Sequence, residues 1–158
     1  MTTSTNSLKE KDLYFVAVKG LLRKGDELLL TKDIFKDGWD IPGGRLKPHE
    51  FETPLADVLE RKIREELGPE VQYMMGEAKV FFRHERTEPD AGHVRIFAVG
   101  FECQFLQGSI QLGEHHEQYD WVNVKAFDPK ERFTGGWCKG LEEYVALVKQ
   151  QDQSSESA

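Results

Sequence analysis

Residues 39–68 read WDIPGGRLKPHEFETPLADVLERKIREELG. Within this stretch the chain turns from extended to helical. Trp39-Asp40-Ile41 is a short β-prone run, and Pro42-Gly43-Gly44 ends it in a turn. Leu55, Val58, Leu59, Ile63 and Leu67 then recur at the spacing that places them on one face of a helix. Thr53 suits the cap of that helix and Pro54 its first residue. Gly68 suits the left-handed position after the last turn, and Pro69 forbids continuation. Glu65 and Glu66 stand side by side in the last turn, where the helix macrodipole disfavours each carboxylate by ~0.3–1 kcal/mol. Arg61 and Lys62, each four residues earlier, can pair with them across a solvated face. A hard divalent cation would also answer the clustering, because such ions are bound by carboxylate oxygens.

Upstream, residues 13–22 form an apolar, aromatic-rich strand candidate. Lys24-Gly25-Asp26 is a turn signal and residues 27–31 form the partner strand. Downstream, residues 78–84 and 94–105 read as strands separated by a polar loop, and residues 119–124 as a further short strand. A second helix is expected over residues 139–150, with Leu141, Tyr144, Val145 and Val148 inward. Strands, a helix, more strands and a last helix describe a mixed α/β fold with a largely antiparallel or mixed sheet, not a regular βαβ repeat. A single domain is expected over residues 12–149, between a flexible N-terminus (1–11) and a disordered acidic tail (150–158).

The 158 residues hold 28 Asp and Glu against 21 Lys and Arg, a formal net charge of −7. That balance argues against an extended nucleic-acid surface, which needs clustered cations, but not against one nucleotide held through a metal. No apolar run approaches the ~18 residues of a membrane span, and the first residues lack a signal-peptide core. The expected location is the cytoplasm. Cys103 and Cys138 make neither a disulfide framework nor a ligand cluster and read as small hydrophobes.

The run from Gly44 to Gly68 resembles the signature of the Nudix hydrolase family, G-x5-E-x7-R-E-U-x-E-E-x-G with U a bulky aliphatic residue. Gly44 and Glu50 have its first spacing, and Arg61, Ile63, Glu65, Glu66 and Gly68 fit its second half. Two departures stand out. Ten residues, not seven, separate Glu50 from Arg61, so the loop or helix start near residues 51–54 is longer. Lys62 replaces the Glu that follows the Arg, and a protonated lysine cannot bind a cation. The resemblance implies an α/β/α sandwich with a mixed sheet. It also implies a Mg²⁺-dependent hydrolase, with Mn²⁺ as the alternative ion, that cleaves the pyrophosphate linkage of a nucleoside diphosphate joined to another group. The implied metal ligands are Glu65, Glu66 and the carbonyl of Gly43, with Glu50 holding a metal-bound water or orienting Arg61. A homodimer is compatible with the family.

With Lys62 unable to act as base, the resemblance directs attention to a carboxylate in the loop before Trp121, Glu117 first and Glu114 second. Glu65 and Glu117 are thus the expected catalytic residues. His115 and His116 do not suggest zinc, since adjacent side chains in an extended segment point apart and no third ligand is near. For substrate phosphates Arg45 and Arg83 stand out among Lys32, Arg45, Arg83, Arg86 and Arg95. Phe35, Trp39, Phe82 and Phe97 are the aromatic candidates, and Trp137 reads as an anchor for the last helix. Lys62 also favours an alternative, a catalytically weak Nudix-fold module that binds or senses a nucleotide.

Overall fold

Strands β1 (Phe15–Lys24) and β2 (Glu27–Asp33) leave their turn as a hairpin, paired at Arg23↔Leu28 and Lys24↔Glu27. Beyond that point β1 continues parallel to β6 (Gly92–Gln107) and antiparallel to β4 (Gly43–Arg45), while β2 pairs with β3 (Gly38–Asp40) and β7 (His116–Asn123). β5 (Gln72–Glu88) closes the far edge against β6. The sheet thus has seven strands in the order β3-β2-β1-β6-β5, with β4 attached to β1 and β7 to β2. The β1–β6 pair is parallel and the rest antiparallel, so the sheet is mixed. This computed structural model describes residues 9–34 and 38–156.

One helix covers each face. α1 (Leu55–Leu67) sends Val58, Leu59, Ile63 and Leu67 onto Val18, Leu22 and Leu29. α2 (Gly135–Glu156) sends Leu141, Tyr144, Val145 and Val148 onto Ala17, Leu21, Leu28 and Leu30. The unbroken apolar run of β2 follows from this arrangement: successive leucines point to opposite faces, and both faces are covered. The fold is therefore an α/β/α sandwich with a mixed sheet, as the family resemblance implies.

Several local expectations are corrected. The turn expected at Pro42-Gly43-Gly44 is confined to a bend at Pro42, and Gly43 and Gly44 join Arg45 in β4, registered at Val18↔Gly44. α1 starts at Leu55, with Pro54 rather than Thr53 as its cap residue and no side-chain cap bond; the Pro54 carbonyl receives the amides of Asp57 and Val58 instead. β5 begins at Gln72, because β6 offers it a long ladder that tolerates register shifts near Met75 and Ala78. β7 begins at His116. Helix α2 begins four residues earlier than the expected Lys139 and continues to Glu156, through most of the stretch expected as a disordered tail. An ion pair from Lys125 to Asp152 at 2.6 Å ties that extension to the domain. Residues 1–8 and 157–158 of the expected flexible ends lie outside the described residues.

Candidate active site

The acidic end of α1 is built into the opening where β1 and β2 separate. Gly43 has φ +137°, and a Cβ there would lie 2.1 Å from the Val18 carbonyl oxygen, so only glycine allows β4 to approach β1 this way. The approach carries the Gly43 amide to Glu66, donating to Oε2 at 3.0 Å. At Gly44 a Cβ would lie 2.4 Å from Cε of Lys62, so the missing side chain makes the space in which Lys62 lies. The loop after β6 closes the other side. Its Gln111 amide donates to the Leu67 carbonyl at 2.8 Å and its Gly113 amide to the Glu66 carbonyl at 3.0 Å. These bonds satisfy carbonyls that the helix end leaves open, and the loop adds His115 and His116 to the lining of the cavity that holds the carboxylates.

Glu66 is buried and Glu65 half-exposed, and Lys62 touches both. Its Nζ is 3.3 Å from Glu65 Oε2 and 3.7 Å from Glu66 Oε1. Arg61 adds a bond from Nη1 to Glu65 Oε1 at 3.2 Å. The two carboxyls consequently differ. Burial pushes Glu66 up to about 7, against the pull of Lys19, the Gly43 amide and Lys62 and with the push of Asp40. Partial burial also raises Glu65, but Lys62 and Arg61 outweigh it and hold that carboxyl below its ordinary range.

A cavity of about 240 Å³ joins this helix end to the opposite face of the sheet, lined among others by Lys19, Asp40, Lys62, Glu65, Glu66 and Trp137. Lys19 is the one cation in the apolar run of β1, and it is buried. Its Nζ donates to Asp40 Oδ1 at 3.1 Å and to the Ile41 carbonyl at 3.0 Å, and lies 5.1 Å from the centre of the Trp137 ring. That partnership offsets the cost of burying an ammonium. His116 also lines the cavity, and burial lowers its pKa.

The expected site residues divide sharply. Gly43, Glu65 and Glu66 converge, and Arg45 lines the same cavity. Glu50 does not line it. Its Oε2 accepts from Arg61 Nε at 2.8 Å, and its Oε1 accepts from Arg61 Nη2 at 2.7 Å and from the Lys47 amide at 2.9 Å. Of its two expected roles, the one visible in the geometry is the pairing with Arg61. Arg61 and the Lys47 amide hold the Glu50 carboxyl at about 2. Arg83 lines a different cavity, of about 420 Å³, with Tyr14 and Lys139. Glu117 is on β7 with its carboxylate 3.5 Å from Lys32, and Glu114 is solvent-exposed; neither lines the cavity of Glu65 and Glu66.

The aromatic candidates belong mostly to the core. Phe82 is fully buried, Trp39 packs on the core beneath Arg132, and Phe97 meets Phe81. Phe35 lies outside the described residues. Trp137 packs against Phe82 and stacks on His84, as an anchor should, yet it also lines the cavity. Sequence reasoning missed Lys19, Asp33 and Asp40 as cavity residues. A lone lysine within FVAVKGLL was the available signal for the first.

Among the described residues no group of three or more His, Cys, Asp or Glu side chains is arranged to hold a metal. The oxygen donors that could hold a divalent ion here are the carboxylate pair Glu65 and Glu66, with Lys62 Nζ as a cation already seated against both. Hard oxygen donors of this kind fit Mg²⁺, which keeps several waters and leaves positions for substrate phosphate. The fit requires the flexible Lys62 side chain to yield its place.

No curated protein sequence matches the chain. Solved structures do. MutT protein from Methanosarcina mazei Go1 aligns with a TM-score of 0.72 at 22% identity, covering 88% of this chain and 98% of that one. A NUDIX hydrolase from Nitrosomonas europaea aligns at 0.60 and 19% identity, covering 85% and 90%. An ADP-ribose pyrophosphatase from Streptococcus suis 89-1591 aligns at 0.54 and 14% identity, covering 86% and 92%. At these identities the likeness speaks for the fold. The NUDIX domain model matches residues 13–137, nearly the whole folded region that carries the cavity and its carboxylates, and the chain belongs to the Nudix family.

Proposed function

We propose that the protein is a divalent-metal-dependent hydrolase that cleaves the pyrophosphate linkage of a nucleoside diphosphate joined to another group. The observation that carries this reading is the convergence of Glu65, Glu66 and Lys62 on Gly43-Gly44 in a cavity whose wall also presents Arg45 and Arg86. Mg²⁺ or Mn²⁺, when bound, neutralises phosphate charge and makes a water nucleophilic. The residues that would hold it are Glu65 and Glu66, with the Gly43 carbonyl as the backbone donor that family resemblance suggests.

The chain's own groups supply the rest. The Gly43 amide fixes the orientation of Glu66. The Arg61–Glu50 pair holds the start of the loop against α1. Glu65, which keeps Arg61 as a partner when Lys62 yields its place, is the residue to which we assign the proton of the attacking water as the phosphorus–oxygen anhydride bond breaks. Arg45 faces the phosphates. Glu117, turned to Lys32, has no part in this scheme.

The pairing of Lys62 with both carboxylates favours the second reading, a weakly catalytic nucleotide-binding module, because the site carries its own counter-charge. A panel of nucleoside diphosphate derivatives, assayed for product release with and without Mg²⁺ or Mn²⁺ and for thermal shift, separates the two. Metal-dependent release supports the hydrolase. Thermal shifts without release support the module.

A further inference from the structure

We propose that Arg45 and Arg86, tied together by Glu88, act as one unit that grips the phosphate beside the one under attack; this rests on the pyrophosphohydrolase reading of the cavity. Arg45 donates from Nη1 to Glu88 Oε1 at 3.0 Å and from Nη2 to Glu88 Oε2 at 3.1 Å. Arg86 donates from Nε to the same Oε2 at 2.9 Å, and its Nη2 is also 2.9 Å from Glu88 Oε2. Arg45 comes from β4 and the other two from β5, which are separated in the sheet by β1 and β6. Their side chains therefore meet across the ends of two intervening strands, with the Phe15 ring 5.0 Å from the Arg45 guanidinium. Both arginines line the cavity of Glu65 and Glu66, while Glu88 stands behind them.

Two guanidiniums held this close repel unless an anion lies between them, and Glu88 is that anion. Two cations against one carboxylate leave a net positive unit. Each guanidinium keeps further N–H groups that Glu88 does not use, in the planar arrangement that matches phosphate oxygens. The ligand class is an anion with adjacent phosphates: one at the Glu65–Glu66–Lys62 wall, the next at the arginine pair. Glu88 is a positioning residue, and Arg86 joins Arg45 as a substrate-binding one.

The test is calorimetry with inorganic pyrophosphate and orthophosphate in Mg²⁺, alongside kinetics on the best substrate of the nucleotide panel. Arg86→Gln should weaken pyrophosphate binding by ~10-fold or more, the scale of a lost charge-assisted contact, with less effect on orthophosphate. Its KM should rise while kcat stays within about twofold. Glu88→Gln adds positive charge, which by itself favours the more highly charged pyrophosphate. The positioning role instead requires the ratio of pyrophosphate to orthophosphate affinity to fall, with Glu88→Asp retaining part of it. A ratio unchanged or raised in Arg86→Gln and Glu88→Gln, or a lower kcat at constant KM in Arg86→Gln, overturns the proposal. Should Glu88→Gln fail to fold, the Arg86→Gln result decides alone. Intact hydrolysis with an unmoved ratio overturns this inference only. A wild-type protein that neither binds pyrophosphate nor cleaves any member of the panel overturns the parent reading as well.

Discussion

Arg61 on α1 holds both carboxylate oxygens of Glu50, with Nε 2.8 Å from Oε2 and Nη2 2.7 Å from Oε1. The pair crosses the lengthened loop between the two halves of the family signature and locks the helix to the turn that precedes it. Its geometry is that of a fork-on-fork ion pair, which supplies direction as well as charge.

The first expected outcome concerns acid. Arg61 and the Lys47 amide lower Glu50 from 4.5 to about 2. The folded chain thus binds fewer protons than the unfolded one between those values. The contribution is complete above the ordinary value and is lost as pH falls toward the lowered one. The wild-type Tm should decline more steeply than that of Glu50→Gln in melts at about pH 5, 4 and 3. Parallel declines would show that the pair contributes no pH-dependent stability.

Glu66 has the opposite sign. Burial raises its pKa from 4.5 to about 7, so between those values the folded chain binds more protons, and stability falls as pH rises. Glu66→Gln keeps an oxygen for the Gly43 amide and removes the buried charge. At about pH 8 it should be as stable as wild type or more so, by up to roughly 3 kcal/mol. Denaturant melts of the two proteins at that pH check this, and a clearly less stable variant would mean that the charge is better compensated than the geometry indicates.

Lys62 occupies the place where an ion would meet Glu65 and Glu66. Lys62→Glu should bind Mn²⁺ more tightly by ~10-fold or more, equal to at least ~1.4 kcal/mol, with turnover unchanged or raised. Calorimetric Mn²⁺ titration of both proteins is the measurement. Weaker binding together with lost turnover would give Lys62 a role of its own, gripping a substrate phosphate.

Glu117 pairs with Lys32 at 3.5 Å on a half-exposed part of β7. Pairs of this kind contribute ~0–1 kcal/mol. Glu117→Gln should leave kcat and KM within about twofold of wild type. A loss of ~10²-fold or more in kcat would restore Glu117 as the general base.

What was legible in the sequence follows from how local each feature is. The apolar face of α1 and the carboxylate pair at its end were readable because helical spacing alone puts Val58, Leu59, Ile63 and Leu67 on one side. The α/β/α sandwich was legible through the family resemblance, and the successive leucines of β2, covered on both faces, agree with it. Gly43-Gly44 could not be told from a turn, because its strand partner is β1, more than twenty residues away. Glu50 carries the signature position, but only the structure shows its two oxygens turned to Arg61 and Lys47. Arg45 and Arg83 looked alike as cations beside predicted strands. Strand register sends one to the carboxylate cavity and the other to a separate one. Lys19 carried a local signal as the lone cation of an apolar run, but Asp40 gains meaning only from its pairing with Lys19, at a separation no local pattern spans.

The most direct measurement is product release from the nucleoside diphosphate panel by wild type and Glu66→Gln across a Mg²⁺ titration. Metal-dependent cleavage of the pyrophosphate linkage is expected from the wild type, with a fall of about 10²-fold or more in the variant, the scale on which losing one electrostatic stabiliser registers. Binding without cleavage at every Mg²⁺ level, or cleavage undiminished in Glu66→Gln at limiting Mg²⁺, would contradict that expectation.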